Sequence, residues 1–252
     1  EDLIRRLKIR SVLEGPSDGI TGVRGVNSLI FALNDVEVTY FTPSKREAMM
    51  VKQAWERLEE LLGRRLDVEV KLWDNIWECR FPFGDDTFDL AWNFCVMEHF
   101  PEPYVIVREM GRVSRKYVLV MTQNMWNMGT IPHLIYHKII GQPWNHGDIS
   151  VMRFSQIEGC MRRAGIRVLE KGVIDVPIWP DTWDMPVRGI FKKALGIFGK
   201  GRAWKWTLIE DPTLRSYESR LRKYMALENS KLPLPVKLLF AHHLYCLGSK
   251  TR

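Results

Sequence analysis

The sequence predicts an α/β fold on a largely parallel sheet, and three stretches carry that reading. Residues 81–123 run as turn, strand, loop, helix, turn, strand. Residues 11–34 run as strand, glycine-rich turn, helix. Residues 36–72 add strand, helix, strand. Short apolar runs alternating with segments of helical period are the mark of βαβ units, whose crossovers are right-handed. Ligands in such sheets bind beyond the carboxyl ends of the strands.

In the first stretch, Thr87–Cys95 is apolar and β-prone, as a buried central strand requires. Pro101 and Pro103 sit where a helix can start, and Ile106, Met110 and Val113 recur at helical spacing. Lys116–Met121 is a second, valine-rich strand. The loop Asn93–His99 then stands at the mouth of a ligand site. Asp85, Asp86 and Asp89 read as turn or solvated acids, not metal ligands.

Taken from the start, Leu3–Ile9 reads as a leading helix and Ser11–Glu14 as a short strand. The strand runs into GPSDGITGVRG, and a helix follows to about Asn34. Glycines in such a turn let the backbone approach a nucleotide-like ligand closely. The spacing GxxxGxxG departs from the dinucleotide fingerprint GxGxxG, which argues against a nicotinamide enzyme. Val36–Thr42 is the second strand. A helix from Pro43 to about Gly63 follows, with Met49, Met50, Ala54, Leu58, Leu61 and Leu62 on its apolar side. Leu66–Leu72 is the third strand, and Trp73, Asp74, Asn75 and Ile76 end it.

Residues 122–150 are rich in Asn, Gly, His and Trp and have little strand character. His133 and His137, four apart, share a face if the stretch is helical. No third ligand or HExxH pattern accompanies them, so no metal is expected. His146 lies in a polar, aromatic loop and is a candidate general base or substrate anchor. Ser155–Ala164 reads as a helix with Ser155 as N-cap and Gly165 as C-cap, leading into a sixth strand to Gly172. Residues 187–207 carry six basic side chains and no acidic one. Such a segment can lie on an anionic membrane or cap an amphiphilic substrate, beside the plainer reading of a surface helix. Thr213–Glu228 reads as another helix and Val236–Gly248 as the last strand. His242 and His243, adjacent in a strand, would face opposite ways and could not serve one site.

The order Pro82, Phe83, Asp85, Phe88-Asp89-Leu90, Glu98-His99, Pro101, Arg108-Glu109 and Arg112-Val113 resembles class I S-adenosylmethionine-dependent methyltransferases. The likeness is greatest to the branch that methylates small molecules and lipids. It implies a seven-stranded Rossmann-like methyltransferase sheet with an antiparallel edge strand at its end. It also implies a single domain over 1–252, with helical cap insertions at about 123–153 and 176–235. The cofactor would be S-adenosyl-L-methionine. Its binding residues would be Glu14, Gly15, Pro16, Ser17 and Gly19 of the first loop and Thr42 at the end of the second strand. Asp74, Asn75 and Ile76 would follow after the third strand, and Asn93, Phe94 and Cys95 after the fourth. Ser17 stands where the family has a glycine. Phe41 and Thr42 stand where it has an acid that accepts from both ribose hydroxyls. The implied reaction moves a sulfonium methyl to a nucleophile. Because a neutral thioether leaves, alignment matters most. A base helps when the acceptor must lose a proton, and His146, His133 and His99 are the candidates in that order.

Composition narrows the partners. Of 252 residues 46% are hydrophobic, ample for a core, and no apolar run is long enough to span a membrane. Arg5, Arg6, Lys8 and Arg10 break up the first residues, so no signal peptide is expected there. Cys79, Cys95, Cys160 and Cys246 form no CxxC pair and read as free thiols of a cytoplasmic protein, with peripheral membrane contact through 187–207 as the variant. Ten tryptophans, many outside the expected sheet, favour a small apolar or amphiphilic acceptor over nucleic acid. The net charge of +7 motivates the alternative of an RNA methyltransferase. The altered loops motivate a second, a methyltransferase-like binding or regulatory protein without catalysis.

Overall fold

The computed structural model describes residues 1–16, 25, 27–73, 80–177 and 225–251. Along the chain these form α1 (Asp2–Leu7), β1 (Ser11–Glu14), α2 (Leu29–Leu33), β2 (Glu37–Thr42), α3 (Lys45–Leu62), β3 (Val68–Leu72) and β4 (Phe88–Phe94). A 3-10 turn at Met97–His99 precedes α4 (Pro103–Val113) and β5 (Ser114–Gln123). There follow α5 (Thr130–Ile139), α6 (Phe154–Arg163), β6 (Ile166–Ile174), α7 (Leu234–Phe240) and β7 (His243–Lys250).

The seven strands make one sheet in the order β3-β2-β1-β4-β5-β7-β6. β1 pairs in parallel with β2 on one side and with β4 on the other, Val12 standing opposite Leu90 and Glu14 opposite Trp92. The strand order therefore reverses between β1 and β4. That reversal opens a crevice at the carboxyl ends of both strands, where doubly wound sheets bind ligands. β7 is not the expected edge strand: it lies between β5 and β6, and β6 takes the edge.

Two compact units share the chain. The first comprises Glu1–Gln123, Asp148–Gly172 and Leu244–Arg252. Its core is the apolar run of the central strands, Leu13, Leu90 and Val120 among them, with Ile106, Met110 and Val113 of α4 and Ile157 and Met161 of α6. Pro103 opens α4 at its first turn, where a missing N–H costs nothing. Arg112 near its end binds Glu109 at 2.7 Å, Asp85 at 2.8 Å and the carbonyls of Phe81 and Phe83. This one guanidinium fixes the turn before β4 to the helix after it.

α3 departs from the expected face. Ser44 caps it by accepting from Glu47 N, and Gly63 ends it at φ 64°. The buried stripe is Glu47, Val51, Trp55 and Leu58, while Met49, Met50 and Leu62 are exposed. A buried acid that apolar counting passes over sets the rotation of the helix. Likewise α6 begins at Phe154 with Arg153 at its N-cap, so Ser155 lies inside the first turn.

The second unit comprises Asn124–Gly147 and Val173–His243. Among its described residues, Asn124 and Asn127 join its two segments. Their side-chain amides donate to the carbonyls of Leu238, Phe240 and Ala241 at the end of α7. The segment read as the start of the last strand is this helix. Pro235 sits in its first turn, where the ring presets helical φ, and the apolar run behind it belongs to α7 until Phe240. His242 precedes β7 and is not within it, so the two histidines do not oppose each other. Both reach Asp175, at 3.0 and 3.7 Å. Burial would raise the Asp175 carboxyl, but the hydrogen bond and charge of His242, with His243, hold it below the ordinary range.

Candidate active site

Glu14 ends β1 fully buried at the crevice. Its carboxyl accepts from Asn27 Nδ2 at 3.0 Å and from Ser28 N at 2.9 Å. Burial, opposed by those bonds and reinforced by the nearby Glu47 charge, pushes it up to about 7. Ser28 in turn accepts from the indole N–H of Trp92 on β4. The start of α2 is thus tied to both strands of the switch point. Gly15 follows at φ 139°, and a side chain there would meet the ring and carbonyl of Phe41 within 2.8 Å. Only glycine lets the chain leave β1 beside β2 in this way.

A small cleft opens here, lined by Glu14, Gly15, Pro16 and Asn27 on one side and Asn93, Phe94 and Val96 on the other. Asn93, 1% exposed, donates to Met110 Sδ, while its Oδ1 has no hydrogen-bond partner among the described residues. An orphaned buried acceptor costs about 1–3 kcal/mol, so Asn93 Oδ1 is a candidate acceptor for a ligand's donor. Cys95 is buried at φ 53° and turns the chain, leaving its neighbours Phe94 and Val96 to line the cleft.

Thr42 is fully buried at the end of β2. Its hydroxyl donates to Glu47 Oε2 at 3.3 Å and accepts from Ser44 N at 3.2 Å. Tyr40 also donates to Glu47. A buried acid therefore stands beside the end of β2, carried by the first turn of α3 and not by the strand itself. The signal was present as Ser44-x-x-Glu47, a capping-box pattern whose acid here turns inward. Nothing in local spacing points to Asn27 or Ser28.

The histidines separate. His99 closes the 3-10 turn in the first unit, half-buried beside Glu98. His133, His137 and His146 come together in the second unit. The first two share the buried face of α5, and the loop through Gly141 and Gly147, both at positive φ, brings His146 to them. Their ring nitrogens all lie within 4.8 Å of one another. The third imidazole corrects the expectation that none accompanies His133 and His137. Trp144 packs against all three rings at 4.7–5.4 Å and donates to the Gly147 carbonyl. Ser17, Gly19, Asp74, Asn75 and Ile76, and the basic stretch 187–207, lie outside the described residues.

Residues 24–120 match the family profile described as a methyltransferase domain. No curated protein matches the chain in sequence. The MccD protein is similar in structure at 10% identity and TM-score 0.58, over 99% of this chain and 95% of that one. A Bacillus halodurans protein described as a methyltransferase is similar at 15% identity and TM-score 0.50, over 100% and 98%. Geranyl diphosphate methyltransferase, solved in complex with SAM, is similar at 12% identity and TM-score 0.50, over 96% and 78%. At these identities the three structures speak for the fold alone, and the profile covers residues 24–120, from ahead of α2 into β5. The strand order, the cleft at its reversal and the match of residues 24–120 to a methyltransferase domain agree, and the fold is the one this chain shares with S-adenosylmethionine-dependent methyltransferases.

Proposed function

We propose that the chain methylates a small apolar or amphiphilic acceptor. The observation that supports the site is the buried Oδ1 of Asn93, without a hydrogen-bond partner among the described residues, in a cleft that also borders Glu14. The cofactor offers an ammonium group and ribose hydroxyls, all donors, and this cleft presents acceptors. Glu14 and Asn93 hold the amino-acid end, and Glu47 accepts from the ribose in place of a strand-end acid. Gly15 and Pro16 let the backbone lie against the ligand. When bound, S-adenosylmethionine supplies an electrophilic methyl on a sulfonium sulfur. The chain's own work is to bind, align and exclude water.

The acceptor class is supported by the second unit. There Ile131, Ile135 and Ile139 form an exposed stripe along α5, with Trp126 and Met128 exposed just before it. Apolar surface of this kind suits an amphiphile better than a polyanion. His99, in the same unit as the cleft, takes the acceptor proton where one must leave. The test is production of S-adenosylhomocysteine against a panel of phenols, fatty acids, prenyl compounds and structured RNA. Turnover with the apolar members supports the reading. Turnover with RNA alone overturns it.

A further inference from the structure

We infer that His133, His137 and His146 form a zinc-class divalent metal site with one open coordination position. Three lines of geometry converge. The ring nitrogens lie within 4.8 Å of one another, one ligand atom from each residue. Nitrogens bound at about 2.0–2.1 Å around a tetrahedral zinc stand about 3.3 Å apart, so closure needs only small rotamer adjustments. The first two ligands are a helical i, i+4 pair, and the third arrives on a loop that two positive-φ glycines fold back.

The outer shell fits the same purpose. His137 Nδ1 stands 3.2 Å from the Pro143 carbonyl. A carbonyl can only accept, so Nδ1 carries the proton and Nε2 presents its lone pair. This is the arrangement that orients a metal-bound imidazole. His133 and His137 are 5% and 4% exposed, and Trp144 lies against all three rings.

Three neutral nitrogen ligands favour zinc, cobalt, nickel or copper over magnesium or calcium, which prefer oxygen. A three-histidine set leaves a fourth position for water or for an anionic oxygen or sulfur donor. The site stands on these residues alone and does not depend on which acceptor is methylated.

The test uses the tag-free full chain, stripped with a chelator and titrated with cobalt chloride. The expected result is one equivalent bound, with the intense visible absorption of four-coordinate cobalt, displaced by one equivalent of zinc. Trp144 adjoins all three rings, so its emission is quenched on cobalt binding, seen as the difference between the wild type and W144F. H146A, altered on a loop, should keep its fold by circular dichroism. It should lose at least about 100-fold in cobalt affinity, beyond the roughly 10–100-fold of a lost outer partner. H133Q and H137Q are expected to do the same, and S-adenosylhomocysteine binding by H146A should be unchanged. Stoichiometric binding that survives H146A, or no binding by the folded wild type, overturns the assignment.

Discussion

Replacing Glu14 with glutamine should change how stability depends on pH. In the folded protein this carboxyl is fully buried and titrates near 7, against 4.5 for the ordinary group. Burial is the largest cause, and the bonds from Ser28 and Asn27 only partly offset it. A carboxyl raised on folding stabilises the fold while protonated. Its contribution is complete below 4.5 and is lost as pH rises through 7. The gap between the two values converts to about 3 kcal/mol. Glutamine keeps the acceptor for Ser28 N and cannot ionise. Urea unfolding of both proteins from pH 4.5 to 8 isolates the effect, because every other titrating group is common to both. Wild-type stability should fall relative to E14Q by about 3 kcal/mol across that range. A cationic ligand in the cleft should draw the proton off, so cofactor affinity should rise with pH through 7 in the wild type and stay flat in E14Q. Parallel stability curves would refute the reasoning, since Glu14 would then be ionised at no cost in the fold.

Three further outcomes follow from the site and its frame. Asn93→Leu removes the partnerless acceptor, so thermal or urea unfolding should show stability unchanged or higher by about 1 kcal/mol. Calorimetry of the same variant should show cofactor binding weakened more than about tenfold, as the loss of a buried hydrogen bond implies. Glu47→Gln should weaken S-adenosylmethionine and S-adenosylhomocysteine alike by about tenfold, since both carry the ribose and lose one charge-assisted bond. A selective loss for one of them would place Glu47 elsewhere. Arg112→Met leaves Glu109 buried beside two uncapped carbonyls and should cost about 3 kcal/mol in urea unfolding, with little effect on affinity.

Much of the frame was legible because local signals agreed. The apolar run at Thr87–Cys95 suits a buried strand, and Pro103 with Ile106, Met110 and Val113 suits a helix, as β4 and α4 show. The errors arise where a distant partner decides. Val236–Phe240 looks like a strand until Pro235 and the amides of Asn124 and Asn127 fix it as a helix. Glu47 looks like a surface residue until Tyr40 and Thr42 turn it inward. His146 stands nine residues beyond His137, and nothing in that spacing says that the loop returns. Helix period finds His133 and His137. Only the fold finds the third imidazole.

Cofactor binding turns on the cleft at the β1–β4 reversal. Calorimetric titration of the purified chain with S-adenosylmethionine and with S-adenosylhomocysteine tests it, with N93L as the folded control. One molecule of either ligand bound per chain at micromolar affinity, and much weaker binding to N93L, is the predicted result. No heat of binding from a folded wild-type protein, or equal affinity in both proteins, would contradict it.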